Sequence, residues 1–457
     1  MVKYAPKTKI FRNLNMIQDF FTPLLRTLPN DREHKQDILR QECILQRGFH
    51  HFDWTASGLA AKCVESRIRE ILPFYANTHS ESNSHSEITS SLYENARERL
   101  KDIFGLDSRF ALISCGFGST AAIKKFQELL GLYIPPKTKQ ALGLDSMGDK
   151  SSFPLVIIGP YEHHSNELSF REGLCEVVRI GLNAQGLMDL EVLKSVLQAN
   201  AGRKIIGSFA LGSNVSGILA PFAEISHWIR SFGGIVCFDC ASTSAYLDIP
   251  PSFYDVAFLS PHKLLGGVGG SGILIVSKAL IDKTLPPTFC GGGVVGYVSR
   301  TSAQYYAQEQ RREEAGTPGI LEFLRSYFGY ALREEIGREW IQETKIPHIC
   351  TLKEFFENEP KITTYGNLAH NVLGIFSFNI RGISPFEVAH RLSEEYGILT
   401  RAGCACAGPY GHDLLGLEDN ASFVQKPGWV RLNVHYTHTQ EQINQLLRAL
   451  KQIIHSA

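Results

Sequence analysis

The chain has 457 residues, with 46 lysines and arginines against 46 aspartates and glutamates, a balance that gives polyanions no general footprint and argues against nucleic acid as a partner. Its length exceeds what one small core holds, so two domains in one folding unit are expected, and no stretch approaches membrane-spanning length. Ten scattered cysteines without a visible signal peptide read as reduced thiols in a cytosolic setting, while the basic residues Lys3, Lys7, Lys9 and Arg12 leave a mitochondrial address open, mildly opposed by Asp19 and the early prolines.

In chain order, residues 1–45 read as an arm packing with a small domain, 46–318 as a large domain and 319–457 as that small carboxyl-terminal domain. Cys115-Gly-Phe-Gly-Ser-Thr-Ala-Ala-Ile123 is a glycine-rich turn leading into a helix. Backbone N–H groups there, with the Ser119 and Thr120 hydroxyls, can cradle a phosphate; an ordinary loop with a serine cap is the plainer alternative. Lys137 to Ser152 is polar and reads as a surface insertion.

Four short apolar runs follow: Phe153 to Ile158 before His163 and His164, Lys204 to Leu211 before Asn214, Ile235 to Phe238 before Asp239, and Asp255 to Leu259 before Ser260. Such runs read as strands buried on both faces. Helix-like segments at Leu187 to Gln198 and Phe222 to Ser231 between them give a mostly parallel sheet. Ligands bind beyond the carboxyl ends of such strands, so the polar residues are expected to share one site. From Leu321 the pattern turns to long helices (Leu321 to Gln342, Pro385 to Tyr396) and an alternating strand at Gly374 to Asn379. The last helix opens on Thr439-Gln-Glu-Gln442 as a capping box, and its apolar stripe marks it as a packing element.

Lys263 lies in Ser260-Pro-His-Lys-Leu-Leu-Gly-Gly-Val-Gly-Gly-Ser-Gly272, where an apolar strand delivers it to a glycine-rich turn. A lysine held there, partly out of water, is a candidate Schiff-base nucleophile. Asp239 ends the preceding strand. Lysine plus strand-end aspartate is the pair that pyridoxal phosphate requires, one for its aldehyde and one to keep its pyridine nitrogen protonated. Gly267 to Gly272 also satisfies Gly-x-Gly-x-x-Gly, but the apolar run after it reads as a strand, which rejects a dinucleotide site.

Six runs, Glu162-His-His-Ser-Asn166, Gly212-Ser-Asn214, Phe238-Asp239, Ser260-Pro-His-Lys263, Glu314-Ala-Gly-Thr-Pro318 and Arg401-Ala-Gly-Cys-Ala-Cys406, resemble in order the class V aminotransferase family. The resemblance runs from about Phe49 to the end and is greatest to the cysteine desulfurase and selenocysteine lyase branch. It implies an α/β fold type I transferase dependent on pyridoxal 5'-phosphate, with a mostly parallel seven-stranded sheet, a smaller α+β domain and a homodimer with shared sites. It further implies that Ser119, Thr120, Ser260 and His262 hold the phosphate, that His163 stacks on the ring and shuttles protons, and that Asn214 bonds the phenolic oxygen side. Ser242 stands where the family usually has glutamine. Thr317 corresponds to a threonine that reaches the phosphate of the neighbouring subunit, and Arg431 to the arginine that binds the substrate carboxylate, against the alternative of a surface ion pair.

The run Arg401 to Cys406 separates the functions. Desulfurases carry a mobile cysteine there whose thiolate takes sulfur from the substrate as a persulfide, and Cys406 matches it. Metal ligation by Cys404, Cys406 and His412, or inert thiols, are the alternatives. The resemblance thus implies L-cysteine as substrate, L-alanine and a Cys406 persulfide as products, and a sulfur-acceptor protein. A class V aminotransferase, or another lyase or epimerase without a persulfide step, is the first rival. A persulfide carrier with degenerate catalysis is the second, and intact Lys263 argues against it.

Overall fold

A computed structural model describes residues 17–25, 28–78, 83–144, 150–419 and 426–456. The basic residues Lys3, Lys7, Lys9 and Arg12, and positions 145–149 of the expected insertion, lie outside the described residues.

The larger sheet has seven strands: β1 Phe110–Gly116, β2 Leu155–Ile158, β3 Glu176–Arg179, β4 Ile205–Ala210, β5 Ile235–Asp239, β6 Val256–Leu259 and β7 Gly272–Ser277. Their order is β1-β7-β6-β5-β4-β2-β3. Only β7 runs against its neighbours β1 and β6; the other pairings are parallel. Every residue of β2, β4 and β6 is buried, which is why they appear in the sequence as unbroken apolar runs. Leu155 and Ile157 join one core and Val156 and Ile158 the other, the alternation that a two-faced sheet imposes.

Helices cover both faces. α1 Gly118–Leu129 and α2 His164–Arg171 put Phe126 and Phe170 into one core, while α3 Leu190–Ala199 and α4 Phe222–Ser231 put Leu193, Leu197, Ile225 and Ile229 into the other. α3 starts three residues later than the apolar pattern suggests, because the Asp189 carboxylate caps it by accepting from Glu191 and Val192 N–H. The long helix expected from Leu321 to Gln342 is two helices, α5 Ile320–Ile336 and α6 Arg338–Asn358. They meet at Gly337, whose φ of 91° cannot continue a right-handed helix. The residues Gly267 to Gly272 run directly into β7, not into a helix.

A second, antiparallel sheet contains β8 Ile362–Tyr365, β9 Ile375–Ile380, β10 Arg401–Gly403 and β11 Trp429–Asn433 in the order β8-β9-β11-β10. Its inner face packs with α7 Pro385–Tyr396 and the last helix, which follows α8 Gly408–Leu415 and is α9 Gln440–Ser456. Ile443, Leu446, Leu450 and Ile453 of α9 are fully buried, worth about 2 kcal/mol each relative to exposure. The capping box is formed: Gln442 N–H donates to Thr439 Oγ1 at 3.3 Å, and Thr439 N–H to Gln442 Oε1 at 3.0 Å.

The early chain reaches both bodies. In the helix Arg32–Glu42, Gln36 Nε2 donates to the carbonyls of Tyr436 and His438 and Lys35 Nζ to that of Ile336. Residues 50–51 then pair in parallel with 398–399. That pairing brings Thr55 and Ala56 to the cavity described next.

Candidate active site

A cavity opens beyond the carboxyl ends of β4, β5 and β6. Ser119, Thr120, His163, Asn214, Asp239, Ser242, Ser260, His262, Lys263, Cys406 and Arg431 all line it. Thr317 does not. It is exposed, with Oγ1 3.2 Å from Asn77 Nδ2. Glu314, from the same run, instead fixes the segment to β1, accepting from Ser114 N–H and Arg97 Nη1 at 2.7 Å each.

Lys263 ends a single turn after β6 and is half-buried. Burial pushes its pKa down to about 8; Asp239 and Asp53 oppose the shift, while Arg431 and Arg401 add to it. A neutral amine is therefore accessible near neutral pH. Asp239, buried at the end of β5, accepts from Ala241 N–H at 3.0 Å. Burial raises its pKa, and Lys263 and its hydrogen bonds pull the other way.

The start of α1 forms an anion cradle. No side chain caps this helix from its own N-cap residue, Phe117. Gly118 sits at φ 57°, and a Cβ there would lie 2.8 Å from His262 Cε1, so only glycine lets the turn approach so closely. Ser119 N–H donates to Ser260 Oγ at 2.9 Å, and Thr120 Oγ1 lies 2.7 Å from Ser165 Oγ. Hydroxyls and the helix start converge here as a phosphate site requires. His262 beside them is held neutral, its pKa pushed to about 4 by burial and then by Lys263. This donor set, with Asp239 and Lys263 on the same cavity, fits a phosphate-bearing pyridine aldehyde.

His163 accepts Ser165 N–H on Nδ1 at 3.1 Å. Burial first, then Lys263, pushes its pKa to about 4. Its neutral ring therefore carries the proton on Nε2. Asn214 directs its amide nitrogen to the Ala405 carbonyl at 2.8 Å, leaving Oδ1 buried without a partner. Ser242 Oγ donates to the Gly212 carbonyl.

Arg431 is 2% exposed and lines the cavity, so the alternative of a surface ion pair is corrected: the pair exists, but it is buried behind the cavity wall. Its Nη2 lies 2.9 Å from Asp53 Oδ1, and Arg401 Nε lies 3.3 Å from Asp53 Oδ2. Asp53 escapes a reading of the sequence, although a lone carboxylate in the aromatic run Phe52-Asp-Trp54 is the available signal. Glu162 stands out there only as part of a motif. Its buried carboxyl accepts from Gly159 N–H, Ala210 N–H and Asn166 Nδ2, tying together the ends of β2 and β4. Burial raises its pKa to about 8.

Cys404 and Cys406 are both exposed, but only Cys406 lines the cavity. Ala407 N–H donates to the Cys404 carbonyl at 3.1 Å. Ala405 and Cys406 have φ of 52° and 58°, the only left-handed residues other than glycine among those described. This is a tight turn with both central residues at positive φ. The turn is tied by Asn214 and by two hydrogen bonds to His164: His164 N–H to the Cys406 carbonyl at 2.9 Å, and Gly408 N–H to His164 Nε2 at 2.8 Å. Among the described residues, no three histidines, cysteines, aspartates or glutamates gather as a metal site, and no helix is long and apolar enough to cross a membrane.

Residues 50–446 match the family model Aminotransferase class-V. A probable cysteine desulfurase of Pyrococcus abyssi is 28% identical over 435 residues, covering 92% of this chain and 97% of that protein. A cysteine desulfurase of an Enterobacter species is 29% identical over 309 residues, 66% of this chain and 71% of that one. The apo structure of a cysteine desulfurase from Thermococcus onnurineus NA1 shares the fold, with a TM-score of 0.76 at 24% identity over 92% of this chain and 98% of its own. The chain belongs to the class V aminotransferase family, whose members are pyridoxal phosphate-dependent enzymes.

Proposed function

We propose that this enzyme is a desulfurase that converts L-cysteine to L-alanine and leaves the sulfur as a persulfide on Cys406. The observation that carries the reading is the placement of a thiol, Cys406, on the wall of the cavity that also holds Lys263 and Arg431. The curated relatives named for this activity support it.

Pyridoxal phosphate, when bound, supplies an aldehyde for the amino group and an electron sink for Cα. Ser119, Thr120, Ser260 and His262 would hold its phosphate, Asp239 would keep its ring nitrogen protonated, and His163 would pack against the ring. Asn214 and Ser242 tune the ring's oxygen side. Arg431 binds the substrate carboxylate through two N–H groups, competing with Asp53 for that guanidinium. Lys263, near pKa 8, accepts the Cα proton. The Cys406 thiolate attacks the substrate sulfur, so an S–S bond forms and the C–S bond breaks with its electron pair left on the carbon skeleton. Protons return to that skeleton, and alanine leaves. The net change is Cys406 thiol plus L-cysteine giving Cys406 persulfide plus L-alanine.

Thr317, outside its own chain's cavity, completes the phosphate site of a second copy, making the homodimer the active unit. A sulfur-acceptor protein discharges the persulfide, in the cytoplasm. The domain division is taken at residues 46 and 319, with the large sheet within residues 46–318 and the thiol turn within residues 319–457.

The test is alanine and sulfide release from L-cysteine by the cofactor-loaded protein with a thiol reductant. Both products in equal amount support the reading. A keto acid from its best amino acid, with turnover unaffected by replacing both Cys404 and Cys406 with serine, replaces it with an aminotransferase.

A further inference from the structure

Cys406 occupies a backbone conformation that its own sequence does not favour. Two adjacent non-glycine residues at positive φ are disfavoured by side-chain sterics, and such turns persist only where surrounding contacts over-determine them. Such contacts come from Asn214, on the Ala405 carbonyl, and from His164. The helix α8 begins at Gly408, immediately after the turn, and its N-cap residue Ala407 has no side chain to accept the free N–H groups there. The acceptor is supplied from α2: His164 Nε2 takes Gly408 N–H at 2.8 Å. In return the His164 N–H, itself a free donor at the start of α2, goes to the Cys406 carbonyl at 2.9 Å. Two helix starts far apart in sequence are thus clasped to each other across Cys406.

The fit is close. A Cβ on residue 408 would lie 2.9 Å from His164 Nε2, so glycine there is what admits the ring. Beyond the clasp, α8 is fixed by Tyr410 Oη on Ser216 Oγ at 3.1 Å and by Arg179 paired with Asp413. Those contacts hold the helix; the turn is held by the clasp, by Asn214 and by the burial of Ala405 and Ala407 in the core. His164 does not line the cavity, whereas its neighbour His163 does. The adjacent pair divides into one ring facing the cavity and one ring facing the turn.

We propose that His164 is a positioning residue for the Cys406 thiol, acting as the helix cap that α8 lacks and so setting the turn from which the thiol enters the cavity. Its consequence for turnover rests on the desulfurase reading; the clasp itself does not.

The test uses the cofactor-loaded full chain with His164→Leu, which removes the acceptor, His164→Gln, whose side-chain oxygen reaches about as far as Nε2, and Gly408→Ala, which drives the ring off. Three quantities are read: amide hydrogen exchange at Gly408, Tyr410 and Gly411, the alkylation rates of Cys406 and Cys404 by iodoacetamide without substrate, and kcat and KM for alanine formation. Loss of one such hydrogen bond predicts about tenfold faster exchange and about tenfold lower kcat in His164→Leu, with KM within about twofold. The Cys406 alkylation rate changes severalfold while that of Cys404 does not. His164→Gln restores most of each, and Gly408→Ala reproduces the loss with His164 intact.

Unchanged exchange and Cys406 alkylation in both His164→Leu and Gly408→Ala overturn the proposal, as does failure of His164→Gln to restore them when cofactor absorbance is normal. If His164→Leu does not fold, Gly408→Ala and His164→Gln decide on the same readouts. If the native protein makes no alanine from cysteine but exchange and alkylation respond as expected, the desulfurase reading falls and the clasp stands.

Discussion

The strand-end wall of the cavity and the thiol turn opposite it are built by different means. Asp239 and Ser260 stand at or just after strands whose residues are nearly all buried, and Lys263 follows Ser260 by a single turn. Their positions are inherited from the sheet. The turn Cys404 to Ala407 has no such base. It leaves a short strand, adopts two left-handed residues and is held by side chains from residues 164 and 214. On the desulfurase reading, the parts that stay fixed relative to a cofactor sit on the scaffold, and the part that meets substrate sulfur sits on a set of removable contacts. A strand-end substitution should therefore abolish chemistry outright, whereas turn substitutions should separate the steps.

The largest expected effect is at Lys263. Borohydride should fix the cofactor covalently on Lys263, and Lys263→Ala should lose both the adduct and turnover by about 10⁴-fold or more. An adduct on another lysine would break the strand-end half of the comparison. Next, Arg431→Ala removes one partner of the buried pair with Asp53 and should lower kcat/KM by about 2–4 kcal/mol of binding, mainly through KM. An unchanged KM would remove Arg431 from substrate binding.

Assembly gives an intermediate effect. Mixing Lys263→Ala with a Thr317→Ala chain should restore up to one competent site per heterodimer; no recovery in verified heterodimers would show that Thr317 does not act across chains.

Acid stability tests the buried layer behind the cavity. His435 stacks on Trp54 with ring centroids 3.5 Å apart, and His348, His435 and His438 are all buried. Burial lowers their pKa values, that of His438 to about 3. Because the folded values lie below the unfolded value near 6.5, the stability from these neutral rings is complete above pH 6.5 and is lost as pH falls below it. Glu162, raised to about 8, and Asp239 and Glu335, also raised by burial, work oppositely, but they are outnumbered by the buried histidines once His163 and His262 are included. Tm should fall between pH 6.5 and pH 5, and a Tm that rises over that interval would contradict the buried neutral rings. The smallest effect is expected for Cys404→Ser, since Cys404 does not line the cavity. Persulfide should still form on Cys406 at a rate within about threefold, a change smaller than one hydrogen bond's worth.

How much of the molecule is legible in its sequence follows the same division. Strands buried on both faces announce themselves as apolar runs, so the polar residues after β2, β4, β5 and β6 gather into one site from the amino-acid sequence alone. The edge strand β3, only half-buried, has no such signature. The break at Gly337 leaves no mark because the apolar pattern continues across it. Asp53 and His164 act through partners hundreds of positions away, Arg431 and Gly408, so no local pattern announces them. Perturbed pKa is not a guide by itself: buried Lys345, pushed to about 7, donates to the Leu373 carbonyl and does not line the cavity that Lys263 lines.

The most direct test of the central claim is the mass of the peptide carrying Cys404 and Cys406 after the cofactor-loaded protein meets L-cysteine without reductant. The account predicts one added sulfur atom on Cys406, formed together with one alanine, and none on a Cys406→Ser chain that retains its cofactor absorbance. Alanine produced at the normal rate with no sulfur on Cys406, or by the Cys406→Ser chain, would contradict it.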